Sequence, residues 1–293
     1  MALDPVQAVN RLRAAFGGPD RHRTLHAKGR FYTGTFTATP EASRLGRAGH
    51  LAGDPVPVLV RWSNAGGNAS LPDKAPDIRG MAVKFQLPDG TATDLLGQTS
   101  RRFPTDSPEE FVAMAEASTR PATIPLFMLR HPRMAGPMLD GLRSGATSSP
   151  RSFTTPTYYP IHAYGWRDAE DRLSWVRYSL VAGDSAPLAE RFDGPDRLFE
   201  EMAARLAQGP VRFDVRLHVA GEGDDPHRAT SVWKHAREVL GGTIEVTAEL
   251  PDQETSGPVV FDPTRVVDGI ELSEDPILRY RPQAYSESIR RRS

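Results

Sequence analysis

Two residues of this sequence, Arg281 and Tyr285, have the types and the spacing of an anionic iron-binding group. Residues four apart on a helix lie on one face, so the guanidinium would stand beside the phenol. A neighbouring cation stabilises a phenolate, and a phenolate is a hard anionic ligand that suits ferric iron. An arginine stacked on a tyrosine without any chemistry has the same spacing, so this pair needs support from the rest of the chain.

His26 is the candidate for proton transfer. An imidazole titrates close to working pH, so it can take a proton from one atom and return it to another. His26 stands three residues after Arg23 and just before an alternating apolar run that begins at Phe31. A single histidine is more often structural or exposed, so the rest of the chain must decide here too.

The elements that must position these groups are indicated by hydrophobic periodicity. In segment 56–64, Val58, Val60 and Trp62 face one way, whereas Arg61 and Ser63 face the other. The same alternation predicts many strands, and apolar residues at helical spacing predict several helices. The predicted strands are 29–39, 56–64, 79–87, 93–97, 161–166, 174–181, 210–220, 243–250 and 258–267; helices are expected at 5–16, within 104–160, at 191–208 and at 275–291.

About eight alternating segments with inserted helices favour an α+β fold, an eight-stranded antiparallel β-barrel with inserted and flanking helices. A less regular α+β domain is the alternative that the patterns leave open. We expect a single domain over residues 1–293. Its predicted parts are an N-terminal helix (1–20), a first barrel half (21–103), a helical excursion (104–160), a second barrel half (161–270) and a final helix (271–293).

Composition limits the classes of partner. The 293 residues include 36 basic and 37 acidic side chains, a net charge of −1, which predicts neither nucleic acid nor a membrane as a partner. Cysteine is absent, so the chain has no disulfide, thiolate metal site or cysteine nucleophile. No basic leader followed by an apolar run opens the sequence, and no apolar run approaches the ~20 residues of a membrane helix. We therefore expect a soluble, cytoplasmic protein.

Several stretches recur in the same order in one known family. They are the segment around His26, then 60–63, 77–85, 94–97 and 281–285. In this order they resemble the haem catalases, and more closely their small relatives, the catalase-related peroxidases, over about residues 21–291. The resemblance implies a catalase-like barrel, haem b with its iron as the cofactor, and chemistry on peroxides.

The resemblance also implies roles for single residues. Tyr285 matches the proximal haem ligand, the axial tyrosine of catalases, and therefore the metal ligand, with Arg281 as its partner. His26 matches the distal acid–base residue, and Ser63 the residue that orients its imidazole through a hydrogen bond.

Four further residues match positions around the cofactor. Arg23 and Arg61 match arginines that pair with the haem propionates, and their cationic forks suit carboxylates; a solvated barrel rim is the alternative. Phe103 and Phe111 match aromatic positions that line the distal side, and ordinary core packing is their alternative.

The sequence departs from the family at several points. Catalases carry an asparagine that assists peroxide binding where this chain has Gln98, whose amide reaches one methylene further. Ser179 stands where full-length catalases have a histidine facing the haem. About twenty-five residues precede His26 and eight follow Tyr285. From these lengths we expect a monomer or homodimer rather than an arm-exchanged tetramer, and a wide channel mouth.

The sequence therefore predicts a haem-dependent peroxidase. It would reduce hydrogen peroxide or organic hydroperoxides with a small organic electron donor and have weak catalase activity. The alternatives are a true catalase, a hydroperoxide isomerase of the allene oxide synthase type, and a non-enzymatic haem or lipid carrier. A carrier would not need His26 together with Ser63.

Overall fold

The computed structural model describes residues 3–17, 23–184, 188–251, 253 and 259–291, and seven α-helices and ten β-strands form within them. The helices are α1 (Pro5–Phe16), α2 (Pro40–Leu45), α3 (Pro108–Ser118), α4 (Ile124–Arg130), α5 (Ala135–Arg143), α6 (Arg197–Gln208) and α7 (Pro276–Arg290). The strands are β1 (Gly29–Ala38), β2 (Val56–Asn64), β3 (Arg79–Gln86), β4 (Ala92–Gln98), β5 (Tyr159–Pro160), β6 (Tyr164–Arg167), β7 (Leu173–Ala182), β8 (Val211–Val219), β9 (Arg237–Glu249) and β10 (Ile270–Leu272).

The described strands form one antiparallel sheet in the order β10-β6-β7-β8-β9-β1-β2-β3-β4-β5. Tyr158, just before β5, exchanges two backbone hydrogen bonds of 3.0 and 2.8 Å with Leu180 of β7. The sheet therefore curls back on itself, and the eight strands from β7 round to β5 form a ring. The α+β fold with an antiparallel barrel is confirmed, but there are ten strands rather than eight. Two short strands, β5 and β6, lie beside β7, and β10 pairs with β6 at the edge of the sheet.

The barrel interior holds the main core. Tyr32, Val60, Trp62 and Val83 have no exposed surface, and the indole of Trp62 meets the ring of Tyr32 edge-on at 5.0 Å. Full burial of a large apolar side chain contributes about 1.5–3 kcal/mol. The predicted inward face of β2 is thus confirmed, and the residues between these core positions point outward.

Several predicted boundaries were wrong. Helix α6 begins at Arg197 rather than at 191, and β9 begins at Arg237 rather than at 243. The strand predicted at 258–267 is absent from the described part, 259–267, and residues 254–258 lie outside the described residues. Here the Asp262 carboxylate accepts hydrogen bonds from the N–H and the hydroxyl of Thr264, at 2.8 and 2.7 Å, which fixes a turn instead.

The first helix, α1, and the last, α7, pack together with α3. Helix α1 contacts α3 and α7, and a small apolar cluster lies between them, built on Ala8, Leu12, Val112 and Ala115. Helix α7 begins where the carboxylate of Asp275 accepts a hydrogen bond of 2.9 Å from the Ile277 N–H. Within the described ranges, no helix combines the length and the apolar character needed to cross a bilayer.

Candidate active site

His26 lies between α1 and β1 with a φ of +54°, a left-handed conformation that costs a non-glycine residue about 1–2 kcal/mol. Its N–H donates to the carbonyl of Ala65 at 2.9 Å, and the N–H of Ala27 donates to that of Gly66 at 3.1 Å. The Asp77 carboxylate holds the same loop by accepting a bond of 2.9 Å from the Gly66 N–H. The loop after β2 therefore fixes the unusual backbone of His26.

The imidazole of His26 rests on the barrel wall. Its Nδ1 lies 2.9 Å from the hydroxyl oxygen of Ser63 on β2, the hydrogen bond that the family resemblance implied. A Cβ atom at Gly80 on β3 would lie 2.8 Å from Nδ1 and Cε1 of the ring, and also 2.8 Å from the Ser63 oxygen. Only glycine leaves room for the ring at this place.

Strand register brings Gln98 to the same level. Gly29, Ser63, Gly80 and Gln98 stand opposite one another on β1 to β4. Directly paired residues present their side chains on the same face of a sheet, so Gln98 shares a face with Ser63. Strands are spaced about 4.8 Å apart, which places the Cα of Gln98 roughly 10 Å from that of Ser63, on the far side of Gly80.

The electrostatic surroundings keep His26 neutral. Although part of its surface is accessible, burial is the largest cause that lowers its pKa to about 3, and the positive charges of Arg61, Arg281 and Arg23 act in the same direction. A neutral imidazole has one donor and one acceptor nitrogen. When Nδ1 carries the hydrogen and donates to Ser63, Nε2 is left as the base.

Two arginines stand beside His26. A terminal nitrogen of Arg61, which is buried, donates to the His26 carbonyl at 3.0 Å, and one of Arg23 donates to the Val259 carbonyl at 2.7 Å. Their guanidinium carbons lie 5.3 and 5.7 Å from the centre of one ring, that of Phe31. The two predicted propionate partners are thus brought together around Phe31.

Helix α7 carries Arg281 and Tyr285 towards this region, and both are half-buried. Arg281 is close enough to act on the pKa of His26, and Tyr285 on that of Tyr164. The hydroxyl of Thr24 lies 3.1 Å from that of Ser288, so the His26 segment is tied to α7 one turn beyond Tyr285. The helix predicted at 275–291 is confirmed as Pro276–Arg290, and it places Arg281 and Tyr285 four residues apart on it.

The aromatic pair lies between α7 and the His26 segment. The rings of Phe103 and Phe111 are stacked, with centroids 5.2 Å apart. Phe103 is buried in a cluster with Ile277 of α7, while Phe111 borders the cluster that includes Leu25. Both residues lie near the other candidate residues, and both also contribute to ordinary core packing.

A buried pair that sequence reasoning missed stands near Arg281. Nδ1 of His162 lies 2.7 Å from the carboxylate of Asp275, and both side chains are almost completely enclosed. Burial, and then the charge of Arg281, lower the pKa of His162 to about 4. Burial is the largest single effect on the pKa of Asp275 and would raise it, but the hydrogen bond and the charge of His162, together with the backbone N–H groups of Ile277 and Leu278, outweigh burial and lower that pKa. His162 is therefore neutral and donates through Nδ1, in a hydrogen bond rather than an ion pair.

The sequence contained one signal for this pair, because an Asp directly before a Pro, as Asp275 is before Pro276, is typical of a helix N-cap. The partner at 162 could not be found from periodicity. Sequence reasoning instead singled out Ser179, which lies on the outer face of β7 between two core residues and whose hydroxyl is 3.0 Å from Nε2 of His218.

The donor set fits a ferric porphyrin. Tyr285 offers a phenol on one element, and His26 offers a neutral imidazole on another. Arg23 and Arg61 supply two cationic groups for two carboxylates. A Cβ atom at Gly29 would lie 2.6 Å from the guanidinium carbon of Arg61, so glycine at this place keeps the room that Arg61 occupies.

Comparisons with known proteins point to one family, the catalases. The family model described as Catalase matches residues 19–187. The chain is 43% identical to the catalase-related peroxidase of Mycolicibacterium paratuberculosis, over 99% of this chain and 95% of that protein. It is 28% identical to the catalase-related peroxidase of Synechococcus elongatus, over 99% and 89%.

Solved catalases share the fold. A fungal catalase superposes with a TM-score of 0.78 at 19% identity, and a bacterial catalase with 0.79 at 20% identity. Each superposition covers 92% of this chain but only 59% and 57% of the respective catalase. The chain thus spans little more than half the length of these two structures.

Proposed function

The chain belongs to the catalase family, close to the small catalase-related peroxidases, and we propose that it is a haem-dependent peroxidase with weak catalase activity. It acts on peroxides, as the family does. The proposed substrates are hydrogen peroxide and organic hydroperoxides, and the proposed reductant is a small organic donor. In the overall reaction, one peroxide and two hydrogen-atom donors give water, a second water or an alcohol, and two donor radicals.

One observation carries this proposal: a neutral imidazole, hydrogen-bonded to Ser63 at 2.9 Å, faces the region where α7 presents Arg281 and Tyr285. Tyr285 would hold haem through its phenolate oxygen, and Arg23 and Arg61 would bind the propionates. When bound, the haem iron would supply the redox chemistry that breaks the O–O bond.

The protein's own part is proton transfer. Nε2 of His26 would take the proton from one peroxide oxygen and deliver it to the other, which departs as water or alcohol. Ser63 keeps the hydrogen on Nδ1, so that Nε2 is available as a base. Because the pKa of His26 is about 3, its imidazole is neutral near pH 7 and has a free site for a proton. The protonated form is a strong acid, so it gives this proton up easily.

Gln98 supports the peroxidase over the true catalase. The catalase reaction needs a second hydrogen peroxide held between the distal imidazole and an amide. Gln98 is on the correct face, but its amide is displaced by one methylene, and a misplacement of about 1 Å can cost on the order of 10² in rate. Oxidation of an organic donor does not need this second peroxide, so it should suffer less.

The test is the ratio of two rates in the haem-loaded protein: oxygen evolution from hydrogen peroxide, and peroxide-dependent oxidation of an aromatic donor. We expect weak oxygen evolution in the wild type and a higher ratio in Gln98→Asn. The control is Gln86→Asn, the same change at an exposed position at the end of β3, which should leave the ratio unchanged. Oxygen evolution at full catalase speed in the wild type would replace the proposal with the true-catalase alternative.

A further inference from the structure

The described residues include nine exposed large apolar side chains, and four of them fall within residues 126–142. Leu126 and Leu129 lie on α4, and Leu139 and Leu142 on α5, with 51, 78, 47 and 66% of their surfaces exposed. Such concentration is unusual on a monomer surface, where single apolar residues are scattered. We call these four residues the leucine patch.

The two helices present their leucines in the same way. Each has two leucines three residues apart, followed directly by an arginine, at 126–130 and at 139–143. Residues three apart share a helix face, while buried Phe127 and Pro137 anchor the opposite faces. Long arginine side chains can lay their stems along apolar surface and keep the charged head in a polar layer.

Charge is concentrated around the leucine patch. Residues 120–143 contain four arginines and one acidic residue, Asp140, a net charge of +3 in a chain whose net charge is −1. All four arginines, Arg120, Arg130, Arg133 and Arg143, are exposed. None of them forms a salt bridge with a described residue, although the charge of Arg120 lowers the pKa of Glu116. The whole-chain charge that predicted no membrane partner conceals this local excess.

We propose that α4 and α5 dock on the surface of an anionic phospholipid bilayer, with the leucine patch inserted at the boundary between headgroups and acyl chains. Apolar residues beside exposed arginines are the composition of helices that lie in a membrane interface. The arginines gain from the negative potential of such a surface.

A second copy of the chain fits this surface less well. In a two-fold symmetric contact the same patch meets itself, so the arginines of one copy would face those of the other. Like charges brought together across a contact are unfavourable, whereas anionic headgroups complement them.

The buried face of α4, opposite its leucines, is linked to the candidate active site. The ring of Phe127 on α4 lies 4.4 Å from that of His131, and Nδ1 of His131 lies 3.3 Å from the Glu110 carboxylate on α3. Helix α3 also carries Phe111, which stacks on Phe103. Docking would therefore hold this side of the site near lipid hydroperoxides; that consequence rests on the proposed function, but the docking itself does not.

The test is co-sedimentation of the haem-loaded protein with vesicles of phosphatidylcholine mixed with phosphatidylglycerol. We expect binding that weakens with salt and is much lower with phosphatidylcholine alone. Leu129→Asp with Leu142→Asp should reduce binding at least about tenfold. The matched control, Leu71→Asp with Leu240→Asp, makes the same charge change at leucines that are 47 and 45% exposed and should bind like the wild type.

The proposal is overturned if the wild type ignores the anionic vesicles, or if the control pair loses as much binding as the patch pair. Sedimentation velocity tests the alternative that a second copy of the chain covers the leucine patch. In that case the wild type would be a dimer, Leu129→Asp with Leu142→Asp would be a monomer, and neither protein would bind vesicles. Unchanged thermal melting of both pairs excludes unfolding as the cause. Because vesicle binding is read without turnover, failure of the peroxidase proposal would leave this result standing.

Discussion

His26 combines a strained backbone, a fixed ring and a depressed pKa. Because the pKa of its imidazole is about 3, the residue should be neutral at every pH between about 5 and 8. The rate constant for reaction with peroxide, measured by rapid mixing, should therefore be flat over this range. A fall in the rate as pH decreases, with a midpoint near the usual histidine value of about 6.5, would contradict it.

Removing the imidazole should slow the same step. We expect His26→Ala to retain haem and to react with peroxide about 10²–10⁴ times more slowly, the usual contribution of general acid–base help. His235→Ala, at an exposed position, is the control and should react like the wild type. Equal rates in all three proteins would remove His26 from the mechanism.

Gly80 offers a steric test of the same ring. A methyl group there would stand 2.8 Å from two ring atoms of His26 and from the Ser63 oxygen, so the ring must move. A displacement approaching 1 Å can cost about 10² in rate, and we expect a loss of this order in Gly80→Ala with haem content unchanged. Gly136→Ala adds a methyl group where no atom lies within 4 Å, and its activity should be normal.

Among the elements, α7 is the one on which haem binding would depend under the proposed function. We expect Tyr285→Phe to lose haem or to shift its absorption spectrum strongly, because the phenolate ligand is gone. Tyr280→Phe removes a hydroxyl from the same helix and should keep the wild-type spectrum. If both variants bind haem with the wild-type spectrum, another residue must be the ligand.

Periodicity predicted the existence of the long elements, although the starts of α6 and β9 were each misplaced by six residues. The bounds of β2 were predicted without error, because alternation over nine residues is unambiguous. The same alternation placed Arg61 and Ser63 on one face of the strand. The three-residue β10 is too short to show any period. Helix α2 was missed although Thr39 before Pro40 has the pattern of a helix start.

Site geometry was predictable only in part. Ser63 and His26 could be linked through a family resemblance, but the Gly80 contact depends on strand register, which no local pattern supplies. His162 and Asp275 are 113 residues apart, and only the fold brings them together. Buried polar pairs of this kind leave no periodic trace in a sequence.

At the scale of the whole molecule, buried neutral histidines should make the protein sensitive to acid. The pKa of His50, inside the barrel, is lowered to about 4 by burial, and that of His162 to about 4. Between about pH 6.5 and 4 the unfolded chain binds protons that the folded one excludes, so the free energy of unfolding must decrease as pH falls. Each group contributes on the order of 3 kcal/mol across this window.

Urea unfolding at pH 7 and at pH 5 measures this dependence. In His50→Leu the contribution of that histidine disappears, so the loss of stability between the two pH values should be smaller than in the wild type. Replacement of exposed His235 by leucine should leave the loss unchanged. An identical pH dependence in wild type and His50→Leu would show that His50 is already protonated or exposed.

The contact between Thr24 and Ser288 also bears on the timing of biosynthesis. Tyr285 leaves the ribosome 259 residues after His26 (285 minus 26), a delay of roughly 13–50 s at about 5–20 residues per second. During this interval the nascent barrel can already hold the imidazole and both arginines, but the phenol has not been made. If Tyr285 holds the haem as proposed, a cell must load the cofactor after α7 has been translated. A chain stalled on the ribosome before residue 285 would then present His26 and both arginines without the phenol.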